Sequence, residues 1–250
     1  MNKLWRSKLT AFSIHLLFSA TIIGIFMLIV TKLWFPDILF ALENVWQGLQ
    51  ILIPVDAILG PILTLILFVP GKKGLVGDLI LIALIQVLAL VYGGYTIYNQ
   101  RPEIIVFVGD RFEIIPSSKF DRENFQAHYF TDVEPAFPLI LYSLPAQSEE
   151  EQSEFVLNNI QYQKMSERYR PLTDHQEVVR SKALQISKFI PEDEQSKANL
   201  EQFKAKHDIA KMLFFVLEGT TSEAKIIALD SSDLTIVGYL DLNPWAKYQP

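Results

Sequence analysis

Few residues in the first half of the chain could do chemistry, and those few lie where a lipid-soluble helix should be. The stretch VDAILGPILTLILFVPGKKG, residues 55–74, sets Asp56 in an apolar run that ends in Lys72 and Lys73. A charged side chain near mid-bilayer costs ~2.5–3.5 kcal/mol on insertion scales, so it turns toward other helices or toward water. At 1.5 Å per residue, Asp56 lies about 20 Å from Val69, and Gln86 about 16 Å from Leu75. If their helices are antiparallel, the two side chains share a depth, and Asp56 is expected to face Gln86, with Ser19 or Thr21 of a third helix nearby. A second polar layer is expected nearer the lysine turn, from His15 and Thr64 at about 7 Å and Asp78 at about 4 Å.

Two chemistries fit that pattern. A proton or ion relay strings ionisable groups across the whole membrane, but beyond Gln86 the third apolar run offers only tyrosines, Thr96 and glycines. A bundle interior held by hydrogen bonds needs no such string, and it is the favoured reading. Pro54, Gly60 and Pro61 around Asp56 predict a bent helix with carbonyls left free, and Gly93 and Gly94 predict a face that another helix can approach closely. Together they suggest docking of a further transmembrane helix, which is binding and not catalysis.

Elsewhere the chain carries no catalytic signature. There is no P-loop, GxGxxG, GxSxG or HExxH, and His128, His175 and His207 are far apart in sequence. The chain has no cysteine, which removes thiolate nucleophiles, disulfides and cysteine-ligated zinc. Glu149 to Glu151 read as a helix start. No catalytic residue, metal or cofactor is assigned.

The elements that position Asp56 follow from composition. Of 250 residues half are hydrophobic, with 22 Lys and Arg against 28 Asp and Glu. Residues 1–100 hold six of the basic and four of the acidic residues, a net of +2, which leaves −8 for residues 101–250. That split marks a membrane domain, 1–100, followed by a soluble domain, 101–250. The acidity of the second part argues against nucleic acid. Crossing ~30 Å of hydrocarbon takes ~20 apolar residues, and three runs qualify, at about 12–33, 48–69 and 75–98. The first is too long for a signal-peptide core and ends in TKLWFP instead of a cleavage site. PGKK allows only a tight turn, so the second and third spans form an antiparallel hairpin. Lys3, Arg6, Lys8, Lys72 and Lys73 all fall on one side if three spans are counted, which predicts a cytoplasmic N-terminus and a periplasmic C-terminal domain in an inner membrane.

In the second part, EIIVFV and FEII around GDR predict a hairpin. Residues 148–162, 172–184 and 191–207 have helical character, and KMLFFVLEG, EAKIIALDSS and LTIVGYLDL predict an antiparallel meander. The expected fold is thus three transmembrane α-helices followed by an α+β domain with a C-terminal meander, one face of its sheet covered by helices.

Several motifs stand in the order found in a known family: IHLL, WFP, VDAILGPILTLILF with PGKK, the DL of Asp78 and Leu79, IQVLALVYGGYT, RP, VFVGDRF with Asp110 and Arg111, and LDLNPW at residues 240–245. In these the chain resembles the TfpX/TfpZ-type type IV pilin accessory proteins. The resemblance covers nearly all of the membrane half and touches the rest thinly; residues 113–211 carry no motif of the family. It implies an inner-membrane protein whose partners are the lipid bilayer and the major type IV pilin, through the pilin's transmembrane helix and periplasmic domain, and whose role lies in pilin stability, assembly or modification. The family supplies no catalytic residues to carry over. The expectation is a non-enzymatic accessory protein or chaperone. The alternatives are a polytopic enzyme acting on pilin or another envelope substrate, and a sensor or transporter component using Asp56.

Overall fold

The first apolar run is helical from Lys3, well before the expected start at residue 12, because KLWRSKLTAF contains no glycine or proline to interrupt it. A computed structural model describes residues 3–131, 137–189, 191, 193–221 and 223–245. In it α1 (Lys3–Ile29) runs into a π turn, Val30–Trp34, where Phe35 N–H reaches Val30 O at 2.8 Å just before Pro36 ends the helix. A one-turn helix, α2 (Leu39–Leu42), leads to the second segment. That segment is broken in its middle: α3 (Val45–Pro54), a second π turn (Val55–Leu59), then α4 (Gly60–Leu67). After the PGKK turn, Gly74 at φ 87° starts α5 (Leu75–Asn99). Lys3–Trp34, Val45–Leu67 and Leu75–Asn99 are each long and apolar enough to cross a membrane.

Contacts divide the chain into two compact units, Met1–Gln100 and Arg101–Pro250. In the first, α1 packs along α4, and α3 and α4 pack on α5. Lys8 Nζ donates to the Ile66 carbonyl at 2.9 Å, supplying a cation to the C-terminal turn of α4. The start of α1 and the PGKK turn therefore share one end of the bundle. At the other end Trp34 meets Tyr98, ring centroids 5.0 Å apart, and Phe26 at 5.8 Å.

The second unit is built on one seven-stranded mixed sheet. Its strands are β1 (Pro102–Val108), β2 (Arg111–Pro116), β3 (Leu139–Ser143), β4 (Tyr169–Pro171), β5 (Met212–Glu218), β6 (Ala224–Asp230) and β7 (Ile236–Leu240), in the order β4-β3-β1-β2-β5-β6-β7. The hairpin expected around GDR is β1–β2, turning at Gly109 with φ +63°, and the expected meander is β5–β6–β7. The two join through a parallel β2–β5 pairing, and β3 adds in parallel beside β1. Of the helices, α6 (Glu149–Leu157) and α7 (Gln176–Ser181) are shorter than expected, the second preceded by a 3₁₀ turn, Leu172–His175; α8 (Glu194–Lys206) lies inside its expected range.

Helix α8 covers one face of the sheet as expected, and the opposite face is buried as well. Leu200 and Phe203 of α8 lie with Phe214, Ile226, Ala228 and Leu240 on one face. On that face, farther along the sheet, Ile104, Val106, Ile115 and Leu141 sit under Phe120, Phe125 and Phe130 of the loop after β2. The opposite face carries Phe107 against Phe112, Phe215 and Tyr142, with centroids 5.1, 5.8 and 5.9 Å away. His175 stacks on Tyr142 at 4.1 Å. IIVFV, LFFVL and IIAL are continuous apolar runs, the pattern of strands buried on two sides.

Candidate functional site: a polar chain in the membrane bundle

Pro61 decides the local chemistry around Asp56. Inside the π turn the Gly60 N–H bonds the Val55 carbonyl, an i to i−5 bond. The next bond of that series would join Pro61 to the Asp56 carbonyl, and proline has no N–H to give. The Gln86 side chain fills the gap: its Nε2 donates to Asp56 O at 3.2 Å. Gln86 Oε1 lies 2.8 Å from His15 Nε2, and His15 Nδ1 lies 2.6 Å from Thr64 Oγ1. The carbonyl at one end fixes the polarity of the chain. Gln86 must present its amine to Asp56, so its oxygen accepts from His15 Nε2–H, and a neutral His15 then accepts the Thr64 hydroxyl proton on Nδ1. All three spans are tied by one line of hydrogen bonds.

Close approach depends on glycine at one position. A β-carbon on Gly60 would lie 2.1 Å from Gln86 Nε2 and 2.5 Å from its Cδ. Pro61 and Thr64 are buried beside it. Gly93 and Gly94 are used within the bundle and are not presented to a further helix: β-carbons there would lie 2.3 Å from Leu52 Cδ1 and 3.4 Å from the Phe26 ring.

The two expected polar layers are thus differently arranged. Gln86 meets the backbone carbonyl of Asp56, and His15 and Thr64 join the same line instead of forming a layer of their own. Asp78 is not part of it. Its carboxylate pairs with Lys72 Nζ at 2.6 Å at the turn, since it lies eight residues, or about 80° around the helix, from Gln86. Thr21 lies six residues, about 120° around α1, from His15 and is exposed, its hydroxyl bonded to Leu17 O. Ser19 is buried. The π turn is the element that sequence reasoning missed. It admits one extra residue and turns the helix back by about 100°, which brings Asp56 and Thr64, eight residues apart, to within about 20° of each other. The visible signal for it was the Asp56 carbonyl five residues before a proline.

Asp56 as a whole residue is 5% exposed, and its Oδ1 is sealed from solvent without a geometric hydrogen-bond partner. Asp56 borders a cavity of about 1040 Å³ that runs between α1 and α5 over α4. Ile14, Phe18 and Ile22 line one side, Ala83, Val87 and Leu90 the other, and Lys3 and Arg6 the end near the PGKK turn.

In the second unit Asp110 and Arg111, the remaining motif residues, form a junction. Arg111 Nε bonds Asp110 at 2.9 Å and Arg111 Nη1 bonds Glu218 at 3.1 Å, while its guanidinium lies 5.2 Å from the Trp245 ring centre. Two motif segments, VFVGDRF and LDLNPW, therefore meet at one arginine. On the sheet face beside it, Glu113 and Glu218 are paired in register and border a polar cavity of about 290 Å³ with Lys119, Gln163 and Lys164. Burial pushes the Glu113 carboxyl above its ordinary range; Gln163 opposes this by hydrogen bonding, and the Glu218 charge adds to it. A raised carboxyl pKa means that ionised Glu113 weakens the fold above the ordinary glutamate range, and that the cost vanishes once the group is protonated in folded and unfolded states alike. Glu113→Gln is therefore expected to raise the melting midpoint near neutral pH by about 2–4 °C, a cost of ~1 kcal/mol in a domain of this size. The gain should disappear below pH ~4, measured by circular dichroism melts of the full chain in detergent. A gain that persists in acid would contradict this account.

Among the described residues no group of three His, Asp or Glu is placed to hold a metal ion. Three apolar segments joined by an interior polar line, followed by a mixed-sheet domain, define a multi-pass membrane protein with a globular C-terminal unit. The chain is 32% identical over 120 residues to the fimbrial assembly protein of Dichelobacter nodosus serogroups C1 and C2, an alignment covering 46% of this chain and 90% of that protein. It therefore belongs to this fimbrial assembly protein family. The serogroup I and serogroup E1 proteins of the same organism match at the same identity and length, and the chain spans about half, 46%, of each of them. No family model and no solved structure matches the chain.

Proposed function

We propose that this chain is an inner-membrane accessory protein of pilus assembly that binds the pilin subunit and keeps it competent for assembly, as a chaperone and not as an enzyme. The observation that carries the reading is its membership of a family named for fimbrial assembly, through an alignment that covers nearly the whole of one member. The resemblance to TfpX/TfpZ-type accessory proteins points to pilin as the partner. In this reading the end of the bundle bearing Lys3, Arg6, Lys8, Lys72 and Lys73 faces the cytoplasm, as basic residues near span ends do, and residues 101–250 lie in the periplasm. A pilin has both a spanning helix and a globular domain, so a partner with a membrane bundle and an outer domain can engage each. The test is affinity purification from detergent-solubilised cells together with deletion. Pilin is expected to co-purify, and surface pili or pilin levels to fall in the deletion strain. Unchanged pili with no associated pilin would sink the proposal.

A further inference from the structure

The groove between α1 and α5 changes character along its length. On α1 its wall begins with Lys3, Arg6 and Thr10 and continues with Ile14, Phe18 and Ile22, one stripe at three- and four-residue spacing. Charge and a hydroxyl therefore occupy the end near the PGKK turn, and hydrocarbon side chains line the rest. The basic residues of that end are also used differently. Lys8 is bonded to the Ile66 carbonyl and Lys72 to Asp78, whereas Lys3 and Arg6, exposed at the mouth of the groove, have no ion pair among the described residues. We infer that the groove is the site of one anionic phospholipid from the leaflet at the PGKK end, its phosphate held by Lys3 and Arg6 and one acyl tail laid along the apolar walls.

Length chooses a lipid over a spanning helix. The α5 wall runs from Leu79 to Leu90, about 16 Å at 1.5 Å per residue. That is the thickness of one leaflet in a ~30 Å hydrocarbon layer, and a crossing helix would need a wall about twice as long. The floor agrees with a tail of methylenes. Gln86, His15 and Thr64 are bonded to one another and to the Asp56 carbonyl, so they ask no donor or acceptor of the occupant. Charge chooses the headgroup. Two cations three residues apart on one helix face can share a single phosphate, with charge-assisted hydrogen bonds from each. Lysine and arginine stems reach from the helix to the headgroup level, where an anionic lipid carries its phosphate without an ammonium of its own to compete for it.

The inference goes beyond the pilin-binding reading and does not depend on it. The test uses the full chain in a nonionic detergent, loaded with phosphatidylglycerol or phosphatidylcholine and analysed by native mass spectrometry. One retained phosphatidylglycerol per chain is expected, with phosphatidylcholine held several-fold more weakly. At ~1 kcal/mol per basic residue near an anionic surface, Lys3→Gln with Arg6→Gln should weaken retention roughly 10- to 30-fold. Lys72→Gln with Lys73→Gln removes two cations from the same end, but from residues that do not line the groove, and should change retention by less than about threefold because of screening. Ala83→Trp, at an exposed position of the apolar wall, should weaken retention with every charge in place, while Leu84→Trp, exposed and outside the groove, should not. Melting midpoints check that each variant is folded. No retained phosphatidylglycerol, equal retention of the two lipids, equal losses from the two pairs of basic residues, or indifference to Ala83→Trp would each overturn the inference. So would a photoreactive phenylalanine analogue at Val87 that captures protein and not lipid in cells, since a partner's helix would then fill the groove.

Discussion

Replacing Phe107 by alanine should cost the C-terminal unit about 3–5 kcal/mol, the range for emptying a buried aromatic site. Phe107 is 1% exposed and stands where three strands meet, touching Phe112 of β2, Tyr142 of β3 and Phe215 of β5. No helix could collapse into the space without breaking the sheet register, so the cavity would stay. Aromatic pairing adds ~0.5–1.5 kcal/mol per contact beyond area. Against a typical total stability of about 5–15 kcal/mol, the loss should lower the melting midpoint by about 6–20 °C at ~2–4 °C per kcal/mol. Phe107→Leu should cost about 1.5 kcal/mol or less, and Leu157→Ala, at an exposed helix position, less than about 0.5 kcal/mol. The check is a set of circular dichroism melts of the full-length variants in one detergent. A midpoint for Phe107→Ala within two or three degrees of the parent would mean that the aromatic cluster does not hold the sheet together.

What the sequence told in advance and what it withheld divide along one physical line. The spans were visible because about twenty apolar residues in a row is a local property, and PGKK leaves no room for anything but a turn. The β1–β2 hairpin and the β5–β7 meander were visible for the same reason, being pairings of neighbours through short turns. Strands β3 and β4 escaped. LILYS is five residues between Pro138 and Pro145, YRP is three, and their partners are chosen by non-local pairing with no local signature. Parallel joining of β2 to β5 across about a hundred residues is likewise invisible to a pattern read along the chain. In the membrane half, depth could be computed from residue counts, whereas azimuth could not. Asp78 was therefore placed in the interior on depth alone, although it points about 80° away from Gln86. Thr64 and Asp56 were set in different layers because the π turn that aligns them depends on one missing N–H.

That missing N–H permits a test in which the sign of the effect carries the conclusion. Gly60→Ala raises intrinsic helix propensity by about 0.8–1 kcal/mol and on that ground alone should stabilise α4. Here its β-carbon would occupy the place of the Gln86 amide, so the bonds to His15 and to the Asp56 carbonyl are lost together. At ~0.6–1.7 kcal/mol for each interhelical bond, with a buried carbonyl left unsatisfied, the variant is expected to lose about 1–3 kcal/mol. Gln86→Leu should cost a similar amount. The double variant should cost less than the sum of the two, because the hydrogen bonds that alanine at residue 60 displaces are already absent in Gln86→Leu. Pro61→Ala carries the argument one step further. It restores a donor that can reach the Asp56 carbonyl, so in the Gln86→Leu background it should return part of the lost stability, while in the parent, where Gln86 already donates, it should gain less. Equilibrium unfolding of the five variants in mixed micelles measures all of this. Additive losses at residues 60 and 86, or no rescue by Pro61→Ala, would show that the polar line is incidental to the bundle. Non-additivity with rescue would mean that the π turn, the proline and Gln86 act as one device, which fixes the Asp56 backbone inside the bundle.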